Sequence, residues 1–352
     1  MPKAIAKVFG LLTFSLSHSP CLYQRRFTRS KSQAPMLPIA GANAIAKVTE
    51  ENLVMDITIN PLYDELGTLI LASGKVDIFE LDKTEVINSF NFSSLVLFRG
   101  FDINTEKFKK FTELLSTNFM PFVGGFYSRK KINGDETLLS VTYPDGSEDH
   151  RVIPLHGEMH YKKKKPTLLW FYCANPALKG GETTVCDGVQ IYNNLNSSTQ
   201  KLFEEKRLKY IQNYPDGKWQ QIYGTDDLMV VKQVCEENHV HLIVNKDKSI
   251  TTEYVCSAII KSKCGQHRVF INNILTAVYY EHPDAFVLFE DGTKIPETVI
   301  REVQEIAAKL TYPIEWQKHD VLMVDNTRLL HGRKAFYDNQ RDIYIRLCDT
   351  NF

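Results

Sequence analysis

Short apolar runs separated by turn signals occur along much of this chain, and each reads as a strand. The clearest cover residues 93–103, 166–174, 312–316 and 320–326, with a further run at 340–346. The 166–174 run is rich in aromatic residues and opens at Pro166, a place where a strand tolerates proline. Gly180-Gly181 forms a turn that feeds another strand toward Asp187. Three stretches switch to helical spacing. Residues 105–118 align Phe108, Phe111 and Leu114/Leu115 behind Thr105 as a candidate cap. Residues 189–195 form a short helix, followed by a second that Ser198 opens. Residues 296–310 begin at Pro296 and place Val299, Val303, Ile306 and Leu310 on one face. The segment 208–290 carries Tyr210, Tyr214, Trp219, Tyr223, Tyr254 and Phe270, as a lid and pocket wall would. The pattern is that of an α+β protein without internal repeats.

Composition narrows the class. With 352 residues, 43% hydrophobic and 24% charged, the chain can bury an ample core. Its formal net charge is +0, which favours neither nucleic acid nor an anionic membrane as partner. Seven cysteines without a Cys-x-x-Cys pair indicate reduced thiols and not a disulfide or zinc framework. No apolar run reaches membrane-spanning length. Residues 1–49 have no Asp or Glu but seven Lys or Arg, a composition similar to a mitochondrial presequence. The alternative is a disordered extension or an early start codon. Either reading sets residues 1–40 apart from a single domain over 41–352, located in the cytoplasm or, with a presequence, in the mitochondrial matrix.

The chemistry concentrates in His156-Gly157-Glu158 and in His331, which lies 173 positions beyond the glutamate. Two imidazoles and a carboxylate can hold one face of an octahedral ferrous ion and leave three positions open. On a strand, alternate side chains share a face, so His156 and Glu158 would project together and His331 would arrive from a second strand.

The stretches LHGEMHY, GGETTVCDG, VDNTRLLHGR and QRDIYIR, in that order, resemble the taurine dioxygenase and clavaminate synthase superfamily of Fe(II)/2-oxoglutarate-dependent oxygenases. The resemblance runs from about residue 85 to 352. It implies a double-stranded β-helix, a jelly-roll barrel flanked by helices, with a helical lid insertion over about 187–310. It implies iron ligands His156, Glu158 and His331, with 2-oxoglutarate and O2 as co-substrates. Thr183 would bond the 2-oxoglutarate carboxylate at the metal. Arg341 would pair with its far carboxylate, a task suited to a planar guanidinium. Relatives carry a second arginine four residues later, whereas here Arg346 stands five residues on, so the two should face opposite sides unless a bulge intervenes. Arg341 is the expected partner and Arg346 the alternative. A carboxylate in the triad argues against halogenation.

The expected activity is hydroxylation of a small amino acid or amino-acid-derived metabolite, releasing succinate and CO2. Desaturation or isonitrile-pathway chemistry is the alternative. A butyrobetaine-type hydroxylase fits less well, because this chain lacks that group's cysteine-bearing zinc module and metal-site aspartate. A non-catalytic jelly-roll binding protein is the reading from another class, and a homo-oligomer is compatible with all of these. His160 reads as a surface histidine, the alternative being that it shares the face of Glu158 and borders the active site; Arg333 and Lys334 read as solvated charge, and Lys162–Lys165 as a solvated turn or a lid over an acidic substrate. His239 and His241 lack the carboxylate or cysteine context of a second metal site.

Overall fold

A computed structural model describes residues 56–122, 129–141, 150–350 and 352. The basic segment 1–40 lies outside the described residues. Two facing antiparallel-dominated sheets build the centre. The larger has nine strands, among them Leu95–Asp102, Val321–Asp325, Leu168–Asn175, Asp342–Thr350 and Asp135–Ser140 in that neighbouring order. The smaller runs Tyr312–Ile314, Thr183–Asp187, Leu329–Arg333, Ile153–His156.

Strand periodicity explains why the central runs are apolar throughout. Leu169, Phe171 and Cys173 point into the space between the sheets with Val185, Leu322, Val324 and Ile345. Their neighbours Leu168, Trp170 and Tyr172 point outward, where helices Lys83–Ser93 and Thr105–Leu115 cover them with Phe90, Phe108 and Phe111. Trp170 is fully buried, and its indole N–H donates to Ser116 Oγ at 2.8 Å. The smaller sheet is covered on its outer face by Gly188–Asn194 and Glu297–Leu310, through Val189, Val299, Val303 and Ala307. This is the expected jelly roll with flanking helices.

The helices appear near where the periodicity puts them, with caps shifted by one or two residues, and the one expected over 105–118 gives way after Leu115 to the strand Ser116–Met120. Asn104, not Thr105, caps Thr105–Leu115 by accepting from Lys107 N at 2.9 Å. Asn196, not Ser198, caps Ser197–Glu205 through Thr199 N at 2.9 Å. Between the strands Thr183–Asp187 and Tyr312–Ile314 the chain builds, besides helices, a further four-stranded sheet ordered His241–Val244, Ile250–Cys256, Leu208–Tyr214, Ala285–Phe289. No helix among the described residues is long and apolar enough to cross a membrane.

Candidate active site

His156 ends its strand and stands directly across the antiparallel ladder from His331. Their ring centroids are 4.3 Å apart. Glu158 reaches them by a route that strand alternation did not anticipate. The strand stops at His156, and Glu158 lies in the turn that follows. Asn326 makes this possible. Its Oδ1 accepts from Glu158 N at 2.8 Å, and its Nδ2 donates to Glu158 O at 3.0 Å and to Pro166 O at 2.7 Å. One amide side chain thus satisfies the peptide groups that a ladder would have bonded, and the carboxylate can bend back toward the histidines.

Glu158 Oε2 lies 3.5 Å from His331 Nε2 and 3.9 Å from His156 Nε2. Ligand atoms of all three residues fall within 4.8 Å of one another, and among the described residues this is the one such cluster. His156 Nδ1 sits 2.9 Å from Pro154 O, an acceptor only, so Nδ1 carries the proton and Nε2 keeps its lone pair. Burial, then the neighbouring His331, pushes His156 down to about 4, leaving a neutral imidazole at physiological pH. Burial alone would raise Glu158, but His331, Arg129 and His156 outweigh it and hold the carboxyl at about 2. Glu158 Oε2 and His331 Nδ1 are nevertheless buried without a hydrogen-bond partner. A buried ionised oxygen beside two imidazole rings is the donor set that a divalent cation satisfies, so the residues fit iron.

Thr183 lies on the adjacent strand, opposite Arg333, and its Oγ1 accepts from Trp316 Nε1 at 3.1 Å. Arg341 is 3% exposed; its Nε donates to Gly181 O at 3.0 Å, and its guanidinium lies 5.3 Å from the Phe336 ring centre. The Gly-Gly turn is required here. Gly180 and Gly181 have φ of +76° and +72°. A Cβ on Gly181 would stand 2.8 Å from Arg341 Cδ, and one on Gly180 would stand 2.1 Å from Ala335 O. Arg346 faces the other way. A register irregularity falls between Asp342 and Ile343, yet the two arginines still point to opposite sides. Arg346 bonds Thr137 O, Thr137 Oγ1, Lys109 O, Thr112 Oγ1 and Glu113 Oε1, five bonds for five N–H groups. Its guanidinium lies 3.7 Å from the Phe119 ring centre.

Two residues read as surface groups are buried here. His160 is 5% exposed and its Nε2 donates to Asn326 O at 3.0 Å, which supports the same turn as Glu158. Arg333 is 6% exposed, donates to Arg151 O at 2.8 Å and lines the cavity at the triad. Its position two residues after His331 was the available signal, since alternate strand residues share a face. Lys334, in contrast, is solvated as expected. His239 Nε2 lies 2.8 Å from Lys163 Nζ, and His241 is exposed, 3.7 Å from Glu253. The cavity that holds His156 and Glu158 measures about 350 Å³, with Arg129, Arg151 and Arg333 among apolar and aromatic walls that include Phe122, Tyr280 and Phe286.

The family model for the taurine catabolism dioxygenase TauD, TfdA family matches residues 63–348. The clavaminate synthase-like protein of Arabidopsis thaliana is 28% identical over 276 residues, 73% of this chain and 82% of that protein. The dapdiamide synthesis protein DdaC of Enterobacter agglomerans is 24% identical over 274 residues, 72% and 82% of the two chains. Among solved structures, PvcB from Pseudomonas aeruginosa superposes with a TM-score of 0.56 at 16% identity, covering 88% of this chain and 95% of that one. The fold and a match over most of the length agree: the chain belongs to the TauD, TfdA family and is an Fe(II)/2-oxoglutarate-dependent dioxygenase acting on a small molecule.

Proposed function

We propose that this dioxygenase hydroxylates an unactivated C–H bond of a small amino acid or amino-acid-derived metabolite, and that His156, Glu158 and His331 ligate the iron. The observation that carries the substrate reading is the cavity at the triad. Its arginines Arg129, Arg151 and Arg333 suit a carboxylate, and its aromatic and apolar walls suit the rest of a small amphipathic molecule.

Bound there, iron with 2-oxoglutarate and O2 supplies the oxidising power that yields succinate, CO2 and an oxidised substrate carbon. The protein's own work is placement. Asn326 and His160 fix the turn that carries Glu158, and Pro154 O fixes the His156 tautomer. Arg341, buried against Gly181 and Phe336, takes the far carboxylate of 2-oxoglutarate, and Thr183 takes the near one. Arg346 has its donors committed elsewhere, which favours Arg341. Residues 188–311, inserted between two strands of the smaller sheet, cover the cavity through Tyr210, Gln212 and Tyr280 and restrict water.

A second reading is desaturation in an isonitrile pathway. It is favoured by likeness to the 3-((Z)-2-isocyanoethenyl)-1H-indole synthase of Fischerella ambigua, 22% identical over 197 residues. PvcB, described as an oxygenase from an isonitrile synthetic pathway, shares the fold. Succinate release from iron-loaded protein with 2-oxoglutarate and a panel of amino acids and conjugates tests the first reading. A product heavier by one oxygen supports hydroxylation, and a product lighter by two hydrogens supports desaturation.

A further inference from the structure

Behind the triad cavity lies a larger one, of about 730 Å³, within the usual range of roughly 300–1,000 Å³ for small-molecule sites. The two share Tyr161, Tyr210 and Gln212 as a common wall. The floor of the larger cavity is the turn Lys162-Lys163-Lys164-Lys165, which leaves the Glu158 turn after four residues. Lys163 and Lys164 are exposed, whereas Lys162 and Lys165 are half-buried against the cavity. One carboxylate, Asp349, also lines it, and that group already accepts from Thr167 N at 3.2 Å and Thr167 Oγ1 at 3.1 Å. The remaining lining is tyrosine, amide and apolar: Tyr214 and Tyr254 with Phe119 and Val240 are representative. Four lysines thus line a chamber large enough for a ligand, and Asp349 is the one carboxylate among the described lining residues.

We propose that this second cavity binds the acidic end of the substrate, so that the substrate is an amino-acid conjugate with a carboxylate or phosphate remote from the oxidised carbon. This rests on the amino-acid reading of the triad cavity. The reacting part occupies the cavity at His156 and Glu158, and the acidic end lies beyond Tyr161 and Gln212 against Lys162 and Lys165. Burial drives Lys162 down to about 8 and lowers Lys165, and an anion brought against them in the cavity would favour their charged forms. The aromatic wall suits the linker between the two ends. The arrangement also explains why the lysine run directly follows the metal-site turn: one segment then positions an iron ligand and grips the substrate.

The test uses iron-loaded, anaerobic protein with 2-oxoglutarate and pairs of N-acyl amino acids whose acyl chain ends in a carboxylate or in the matching carboxamide. Two readouts are taken. The first is the rate at which a water-soluble acetylating reagent modifies each lysine, read by mass spectrometry, with exposed Lys201 as internal reference. The second is succinate release after oxygen is admitted. The expected result is at least fivefold protection of Lys162 and Lys165 by the acids alone, with Lys201 unchanged. The acids should also have at least tenfold higher kcat/KM than the amides, a preference lost in the Lys162→Ala/Lys165→Ala double variant. Turnover without acid preference and without protection would overturn the second-cavity site and leave the amino-acid reading standing. Protection without turnover would support the site and sink the amino-acid oxidation reading. Protection by inorganic phosphate as strong as by the conjugates would mark a free-anion site and overturn the assignment to substrate.

Discussion

Arg341 and Arg346 lie five residues apart on one stretch of chain, and both are almost fully buried, yet their surroundings differ in kind. Around Arg346 the fold supplies an acceptor for every N–H, from the helix Thr105–Leu115 and the strand Asp135–Ser140. Around Arg341 lie the Gly181 carbonyl, the Phe336 ring and a glycine turn with no room for a methyl group. The first neighbourhood is a closed network that ties the large sheet to its covering helix. The second holds a guanidinium in place between the sheets, beside the strand that carries Thr183. Burial of a cation therefore does not separate a structural arginine from a co-substrate arginine. Its place in the fold does: Arg346 stands under the helix Thr105–Leu115, and Arg341 stands against the turn that leads into the strand of Thr183.

Four substitutions probe that contrast. Arg346→Ala strips donors from several buried acceptors at once and should cost about 3 kcal/mol or more, read as a lowered denaturation midpoint. The apparent KM for 2-oxoglutarate should stay unchanged in the protein that remains folded. Arg341→Ala should do the reverse, raising that KM on the order of 30–100-fold through loss of a charge-assisted pair while sparing iron binding. A stability loss for Arg341→Ala as large as that for Arg346→Ala would erase the distinction. Asn326→Ala releases the Glu158 turn and should weaken Fe(II) binding about 10–100-fold without touching either arginine, as measured by anaerobic metal titration. Gly181→Ala should have the smallest effect, raising the 2-oxoglutarate KM by roughly tenfold or less through displacement of Arg341, with the metal affinity preserved.

Much of this site could be read from the amino-acid sequence. The two histidines and the glutamate stood out because stretches resembling the oxygenase family surround a spacing that fits a metal face, and the opposed directions of the two arginines followed from counting residues along a strand. The buried strands and the long helix Glu297–Leu310 were visible as periodic apolar positions. Other features were not, for physical reasons. Strand alternation placed Glu158 correctly near His156 but for the wrong reason, since its geometry depends on Asn326, 168 residues away. His160 looked like a surface residue because its burial depends on the same distant asparagine. Arg333 looked solvated because a positive charge beside Lys334 suggests an exposed run, although adjacent residues along a strand face opposite sides of the sheet. Of the larger cavity only the lysine turn and the aromatic residues of 208–290 showed in the sequence, and the way they meet did not. It arises where strand Leu208–Tyr214 and helix Leu228–Glu237 close over the lysine turn.

The central claim is that the carboxylate of 2-oxoglutarate meets Arg341 at an iron held by His156, Glu158 and His331. It is tested most directly by anaerobic titration of Fe(II)-loaded protein with 2-oxoglutarate, following the visible absorption band that appears when the co-substrate chelates the metal. The account predicts a band in the wild type, none in His331→Ala, a midpoint shifted to much higher 2-oxoglutarate in Arg341→Ala, and a wild-type midpoint in folded Arg346→Ala. A shifted midpoint in Arg346→Ala with an unshifted one in Arg341→Ala would contradict it.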